Sequence, residues 1–169
     1  MTNDLPEYPS GHGLLDGRVV VVTAAAGTGI GFATARRCAE EGATVVLSDH
    51  HARRLDEAAA SLAEELGRPP LTVVCDVTQE GDVQRLVQAA IDEHGGIDVM
   101  VNNAGLGGTT ELVDMTDDQW GAVLDVTLNG TFRCTRAALR HMLAANHGVI
   151  VNNASVLGPE QPDGVVGLR

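Results

Sequence analysis

The sequence of 169 residues has no lysine, few aromatic side chains and no long apolar run. All eleven basic residues are arginine, which excludes chemistry that needs an ε-amino group from these residues. No apolar stretch approaches the roughly 20 residues that cross a bilayer, and no basic-then-apolar segment opens the chain, so we expect no membrane partner. The three cysteines, Cys38, Cys75 and Cys134, form no CxxC pair, which predicts free thiols in a cytoplasmic protein.

The charge of the chain is strongly negative, with a formal value of −12 at pH 7. This negative net charge argues against nucleic acid as a partner, because the phosphate backbone attracts basic surfaces and repels acidic ones. The six histidines and three cysteines show no ligand spacing, so no metal site is predicted. His50 and His51 stand beside Arg53 and Arg54, a group that we interpret as the solvated start of a helix.

A glycine-rich turn over residues 19–31, VVVVTAAAGTGIG, organises the rest of the chain. Four consecutive valines predict a buried parallel strand, and the small residues that follow predict a sharp turn into a helix. A helix start offers unpaired N–H groups and a positive dipole end, both of which suit a phosphate. Because Gly29 and Gly31 lack a Cβ, a pyrophosphate can approach the backbone and the helix can pack closely on the strand.

Asp49 follows Gly29 by twenty residues, at the end of the next apolar run. A carboxylate at that position accepts hydrogen bonds from the ribose hydroxyls of a dinucleotide. A glycine-rich turn alone is a weak signal, but the turn and Asp49 together predict a dinucleotide site. The alternative to solvated positions for His50 and His51 is contact with the adenosine of that dinucleotide.

Strands and helices alternate along the chain, which predicts right-handed crossovers and a parallel sheet covered on both faces. The fold predicted is therefore a doubly wound α/β sheet of the Rossmann-like type, with its ligand at the carboxyl ends of the strands. We expect a loose arm over 1–15, one dinucleotide-binding domain over 16–158 and an irregular tail over 159–169. The predicted strands are 18–23, 43–48, 71–75, 97–101 and 149–153. The predicted helices are 30–41, 52–66, a third over the apolar positions 83 to 91, and a long one from 116 to about 145. A capping box at 116–119 starts the long helix, and its core candidates are Trp120, Val123, Leu124, Leu128 and Leu139.

Four polar residues fall at or just after predicted strand ends: Asp49, Asp76, Asn103 and Ser155. Each alone could equally be a turn residue that binds its own backbone. Four on the same rim indicate a ligand site.

The glycine turn, Asp76-Val77, the run 102–105 (NNAG) and the run 151–155 (VNNAS) together resemble the short-chain dehydrogenases/reductases. The likeness covers residues 15 to 158 and is strongest to the 3-oxoacyl-(acyl-carrier-protein) reductase-like group, including members that act on CoA-linked steroid-ring fragments. It implies a nicotinamide cofactor across the strand ends and catalysis of alcohol–ketone interconversion. The implied cofactor-binding positions are Ala25, Thr28, Gly29, Ile30, Asp49, Asp76, Val77, Asn103, Ala104 and Gly105.

Charge predicts which cofactor is used. Asp49 would repel a ribose 2′-phosphate but accept hydrogen bonds from free hydroxyls, and Thr28 is neutral where a basic residue would favour that phosphate. NAD is therefore preferred over NADP.

The chain departs from the family pattern at two minor positions. Ala25 stands at the family's first glycine, with Ala24 at its threonine, and alanine fits Ala25 if φ stays negative. Thr127 stands at the family asparagine that supports a proton-relay water, and a threonine hydroxyl can still bind water.

The third departure concerns the catalytic acid. The resemblance implies a serine, matched by Ser155, followed by a tyrosine and a lysine that lowers the tyrosine pKa. The tyrosine position falls at Leu168, the only tyrosine is Tyr8, and no lysine exists. The proline- and glycine-containing tail does not predict the next helix. Measured against the family that it resembles, we interpret the chain as a truncated or frame-altered reductase whose fold lacks its C-terminal part, the last helix and final strands.

Three interpretations of function remain open: an impaired oxidoreductase acting on a small, acyl-CoA- or acyl-carrier-protein-linked substrate, a catalytically silent dinucleotide-binding module, and a non-functional remnant. An open sheet edge and an uncovered face predict a homo-oligomer or other self-association.

Overall fold

The computed structural model describes residues 8–107 and 110–154. Five strands form one parallel sheet in the order β3-β2-β1-β4-β5. Within the described residues the strands are β1 (Val19–Val22), β2 (Thr44–Asp49), β3 (Leu71–Val74), β4 (Val99–Asn102) and β5 (Val149–Asn152), and the α-helices are α1 (Ile30–Glu40), α2 (Ala52–Leu66), α3 (Glu80–His94), α4 (Asp117–Leu124) and α5 (Gly130–Ala145).

The doubly wound α/β sheet predicted from the sequence is confirmed. β1 occupies the centre, and its four valines are buried because helices cover both faces of the sheet. Val19 and Val21 pack with α3 and α5 residues, whereas Val20 and Val22 pack with α1 and α2 residues. The chain leaves β1 for β2 on one side and returns to β4 on the other, so the order of strands reverses between β1 and β4. This reversal places a crevice at the carboxyl ends of the strands.

The predicted helices 30–41 and 52–66 agree with α1 and α2 within one residue. Gly67 and Gly95 end α2 and α3 in the left-handed conformation, as a helix C-terminus favours. Thr116 begins α4 with the predicted capping box, in which its hydroxyl accepts from the Gln119 N–H and its own N–H donates to the Gln119 side chain.

The predicted long helix from 116 to about 145 is present as a continuous helical segment, with one departure from α-helical hydrogen bonding. A π turn over Asp125–Asn129 separates α4 from α5, although the backbone stays right-handed helical throughout. Gly130 follows this turn at a close approach, since a Cβ there would lie 2.7 Å from Cγ2 of Val77. Arg133 donates to the Asp125 carboxylate at 2.8 Å and so spans the turn.

Three of the core residues predicted for this helix are not in the core. Trp120, Leu128 and Leu139 are exposed, by 41 % in the case of Trp120. α5 instead buries small or flexible residues, which lets it lie close to the sheet: Cys134, Ala137, Ala138 and Met142.

Residues 8–15 contain no helix or strand but contact the end of α1. The Glu41 carboxylate accepts the N–H groups of His12 at 2.7 Å and Leu14 at 3.2 Å. Arg37 donates to the Pro9 carbonyl at 2.6 Å and also pairs with Glu41. The described part of the predicted arm is thereby attached to the domain.

Candidate cofactor-binding cleft

A cleft of about 380 Å³ lies at the carboxyl ends of the strands, where the strand order reverses. Its walls come from the segments that follow β1, β2, β3 and β4, together with the π turn. The lining residues are Ala24, Asp49, His50, His51, Arg54, Cys75, Asp76, Val77, Thr78, Ala104, Gly105, Leu106 and Val126.

The glycine turn connects β1 to α1 at the edge of this cleft. Gly29 is the N-cap of α1 and has no side chain to accept a hydrogen bond from the helix. The first N–H groups of α1 are therefore not capped by a side chain. A Cβ on Gly29 would meet nothing within 4 Å, which leaves open space in front of the helix start. Thr28, Gly29 and Ile30 are all exposed here, in the same turn as the cleft residue Ala24.

Gly31 has a different role in the same turn. A Cβ at this position would collide with the Ala24 carbonyl oxygen and lie 2.5 Å from the Asn103 amide nitrogen. Ala24 itself has a φ of +50°, a left-handed conformation that alanine seldom adopts, whereas Ala25 is fully buried and has no positive φ. The turn therefore depends on glycine at 31 and tolerates alanine at 25.

Asp49 is the last residue of β2, and its side chain lines the cleft although the residue is only 7 % exposed. Its Oδ2 accepts the Ala26 N–H at 3.3 Å, and its Oδ1 accepts the His51 N–H at 3.0 Å. The carboxylate thus joins the glycine turn to the start of α2 while it faces the crevice.

Asp76 and Val77 follow β3 on the next wall. The Asp76 Oδ1 accepts both the N–H and the hydroxyl of Thr78, at 2.9 and 2.8 Å, so this carboxylate shapes its own turn. Val77 is buried against α5 yet lines the cleft. Burial raises the pKa of the neighbouring Cys75 thiol to about 11, which keeps it protonated and unreactive near neutral pH.

Asn103, Ala104 and Gly105 continue β4 beside the glycine turn. The Thr23 hydroxyl accepts the N–H groups of Asn103 at 2.9 Å and Ala104 at 3.0 Å and lies 3.3 Å from the Val101 carbonyl. The Asn103 side chain donates to the carbonyls of Thr23 and Ala24, both at 3.1 Å. Ala104 and Gly105 therefore face the cleft, while Asn103 braces the turn next to it.

Thr127 lies in the π turn and is exposed. Its hydroxyl is 3.3 Å from the Leu106 N–H and 3.5 Å from the Leu106 carbonyl. It therefore holds the segment after β4, and its neighbour Val126 lines the cleft. Ser155 lies outside the described residues, as does the predicted tail.

Sequence reasoning missed the bridging role of Thr23 and the cleft positions of Leu106 and Val126. It favoured solvated positions for His50, His51 and Arg54, with contact of the histidines with the adenosine as the alternative. All three are exposed and also form a wall of the cleft. Its position directly after the four valines of β1 was the only signal for Thr23. The π turn that brings Val126 to the cleft has no recognised sequence pattern.

In the part of the chain that the structure covers, no three His, Cys, Asp or Glu side chains are arranged to hold a metal ion. Over the same residues, no helix has the length and apolarity needed to cross a bilayer. Cys38, Cys75 and Cys134 are free thiols.

A parallel doubly wound sheet with a glycine turn at a helix start and an acid at the end of β2 is the architecture of a dinucleotide-binding protein. The family model for the short chain dehydrogenases matches residues 18–166, and the chain belongs to that family of oxidoreductases.

Known relatives agree with this assignment. The chain is 63 % identical over 155 residues to the (5R,7aS)-5-hydroxy-7a-methyl-1-oxo-2,3,5,6,7,7a-hexahydro-1H-indene-carboxyl-CoA reductase of Mycobacterium tuberculosis, covering 90 % of this chain and 59 % of that protein. It is 39 % identical over 147 residues to the 3-oxoacyl-[acyl-carrier-protein] reductase of Thermotoga maritima, covering 85 % and 58 %.

A solved structure also matches. A short chain dehydrogenase from Mycobacterium smegmatis superimposes with a TM-score of 0.86 and 56 % identity, covering 94 % of this chain and 65 % of that one. The chain thus spans about 60 % of the length of the curated relatives named here.

Proposed function

We propose that this chain forms the cofactor-binding part of an NAD(H)-dependent oxidoreductase that interconverts a secondary alcohol and a ketone. The observation that carries the proposal is the position of Asp49, which lines the cleft and is hydrogen-bonded to the glycine turn. Bound there, a nicotinamide dinucleotide supplies or accepts the hydride.

The chain's own residues divide the binding between them in this proposal. The N–H groups at Thr28, Gly29 and Ile30 bind the pyrophosphate, with Ala25 supporting the turn from below. Asp49 accepts the adenosine ribose hydroxyls, and Asp76 and Val77 border the adenine. Asn103, Ala104 and Gly105 form the wall beside the rest of the cofactor.

NAD is the proposed cofactor and NADP the less favoured one. Asp49 carries a negative charge at the point where a 2′-phosphate would lie, and repulsion between the two disfavours NADP. Thr28 offers no positive charge in compensation.

The proposed substrate is a ketone on an acyl thioester, such as a 3-oxoacyl group carried by CoA or an acyl carrier protein. Support comes from the two relatives, whose names specify a CoA-linked and a carrier-protein-linked substrate. Catalysis is proposed to involve Ser155 as a hydrogen-bond donor to the substrate oxygen, with Thr127 at the position of the family asparagine.

A second candidate is a catalytically silent dinucleotide-binding module. The absence of lysine from the sequence, and a single tyrosine at position 8, favour it for a polypeptide of these 169 residues. General acid–base groups contribute about 10²–10⁴-fold to the rate of an enzyme. Under the first proposal we therefore expect this polypeptide to bind the cofactor and to turn over slowly, whereas the silent module would bind the cofactor without turnover.

Two assays on the 169-residue polypeptide separate these functions. Titration with NADH, followed by nicotinamide fluorescence, measures binding, and NADH oxidation with a 3-oxoacyl-CoA measures turnover. Binding with slow turnover supports the proposal, binding with no turnover supports the silent module, and absence of binding contradicts both.

We also propose self-association of the polypeptide and a cytoplasmic location. Apolar side chains on α4 and α5 are exposed, and free thiols persist in a reducing compartment.

A further inference from the structure

The side-chain amide of Asn103 is held from two sides. Its Nδ2 donates to the carbonyl oxygens of Thr23 and Ala24, both at 3.1 Å. Its Oδ1 accepts a hydrogen bond from Nδ2 of Asn153 at 2.8 Å. Asn103 directly follows β4 and Asn153 directly follows β5, so this amide joins the ends of two strands to the glycine turn that follows β1.

The backbone around Asn153 determines where its side chain lies. The Asn153 N–H donates to the Asn102 carbonyl at 2.9 Å, which extends the pairing of β5 with β4 by one hydrogen bond. The paired strands therefore bring the Asn153 side chain next to Asn103, although Asn153 itself is exposed.

The hydrogen bond from Asn153 favours one orientation of the Asn103 amide. An asparagine amide fits its site in two orientations that exchange oxygen and nitrogen, and its hydrogen-bond partners decide between them. In the orientation present, the Asn103 nitrogen faces two carbonyl oxygens, and among the described residues Asn153 is the donor to its oxygen. The reverse orientation would place the Asn103 oxygen against the two carbonyl oxygens and its nitrogen against the Asn153 nitrogen, so every hydrogen bond would be lost.

The turn that this amide supports contains a strained residue. Ala24 has a φ of +50°, and such a conformation persists only where surrounding contacts hold it. The Asn103 nitrogen binds the Ala24 carbonyl and lies where a Cβ on Gly31 would come within 2.5 Å. A change in the orientation of this amide would therefore act on the backbone in front of α1, whose N–H groups are proposed to bind the pyrophosphate.

We propose that Asn153 is a positioning residue for the pyrophosphate site and acts through the orientation of the Asn103 amide. The inference rests on the proposed dinucleotide function and adds to it a residue beyond the end of β5 that is not among the residues lining the cleft. Because Asn153 acts through Asn103, its contribution to nucleotide affinity should disappear when Asn103 cannot transmit it.

The test uses substitutions that keep the size of the side chain. Asn153→Asp replaces the donor nitrogen by an oxygen, so the Asn103 amide should turn its nitrogen towards the new carboxylate and its oxygen towards the two carbonyls of the turn. Asn152→Asp is the matched control, because it adds the same charge one residue away. The Asn152 Oδ1 accepts from Nδ2 of Asn102 at 2.8 Å, a role that a carboxylate keeps.

Two measurements are made on each protein. Calorimetry gives the Kd of NAD⁺, and hydrogen exchange followed by mass spectrometry, without nucleotide, gives the protection of residues 23–31. We expect Asn153→Asp to weaken NAD⁺ about tenfold, because the carbonyls of the turn lose their donor. It should also speed exchange over 23–31 more than in the rest of the sheet. Asn153→Ala removes the donor without reversing it and should weaken NAD⁺ about threefold, whereas Asn152→Asp should match the wild type.

A double-mutant cycle tests the route through Asn103. In an Asn103→Ala background, Asn153→Asp should change the Kd by less than about twofold, since no amide remains to turn. Equal Kd values for Asn153→Asp and Asn152→Asp, unchanged exchange over 23–31 in Asn153→Asp, or an undiminished effect in the Asn103→Ala background would each overturn the inference while NAD⁺ still binds the wild type. Absence of NAD⁺ binding to the wild type would instead overturn the proposed function, and the inference with it.

Discussion

Gly29 and Gly31 lie two residues apart in one turn but have different surroundings. Gly29 faces open space at the helix start, whereas Gly31 is pressed against the Ala24 carbonyl and the Asn103 amide. The first leaves room for the proposed pyrophosphate, and the second is required for close packing.

Substitution of each glycine by alanine should separate these two roles. Gly31→Ala should lower the free energy of unfolding by about 2 kcal/mol, because the added methyl group forces backbone or Asn103 to move. Gly29→Ala should cost less than about 1 kcal/mol, since its φ of −86° suits alanine. Gly29→Ala should nevertheless weaken the binding of NAD⁺ several-fold, because the added methyl group occupies the space in front of the helix start.

Urea unfolding and calorimetric titration of both variants provide the measurements. Equal losses of stability in the two variants would contradict the distinct packing of Gly31. Unchanged NAD⁺ affinity in Gly29→Ala would contradict the approach of a pyrophosphate at this point.

The cleft positions of residues at or just after the end of a strand could be predicted from the sequence. Asp49 and Asp76 lie at the cleft because each follows a strand of the same parallel sheet. Thr23 and Val126 were missed because their roles depend on contacts between segments far apart in sequence, such as Thr23 with Ala104.

The end of α1 shows how one element holds an irregular segment. Hydrogen bonds from the N–H of His12, then that of Leu14, and the nearby Arg37 lower the pKa of the Glu41 carboxyl. Since the pKa in the folded state is depressed, Glu41 stabilises the fold above its unfolded pKa of about 4.3, and that stabilisation disappears as the pH falls through the folded value.

We expect Glu41→Gln to reduce stability at neutral pH and to flatten the loss of stability on acidification. Urea unfolding between about pH 7 and about pH 3 checks this, because the curves of wild type and variant should converge towards the acid side. Glu57→Gln, at an exposed pair with Arg53, is the control and should stay close to the wild type throughout. Parallel curves for wild type and Glu41→Gln would contradict the role assigned to this carboxylate.

Helix and strand positions were predictable where apolar spacing and a C-terminal glycine agree, as in α2 and Gly67. The π turn inside the long helix was not predictable, because it lies next to a close approach of Gly130 to Val77, a residue distant in sequence. Leu139 was predicted in the core and is exposed.

The described part of the molecule exposes several large apolar side chains on α4 and α5. Phe132 is 57 % exposed and Leu143 is 76 % exposed. Val149 and Val151 on β5 are also exposed, and β5 pairs only with β4 among the described residues. Apolar surface of this kind favours association.

We expect the 169-residue polypeptide to elute from a size-exclusion column, with light scattering detection, as a species larger than a monomer. The double variant Phe132→Gln with Leu143→Gln should shift that species towards the monomer, because two side chains, each worth about 2 kcal/mol when buried, are lost from the contact. Leu14→Gln is the control, since Leu14 is also 76 % exposed but lies on the segment before β1. A monodisperse wild-type monomer would contradict the prediction.

The most direct test of the account is a calorimetric titration of NAD⁺ into the wild type, Asp49→Asn and Asp56→Asn. Asp49 faces the cleft, while Asp56 is an exposed residue of α2 outside it, so the two variants lose the same charge in different places. The account predicts that NAD⁺ binds the wild type and Asp56→Asn alike and binds Asp49→Asn at least about tenfold more weakly, because hydrogen bonds to a charged acceptor contribute about 1.5–3 kcal/mol. Equal affinity for all three proteins, or no binding to the wild type, would contradict it.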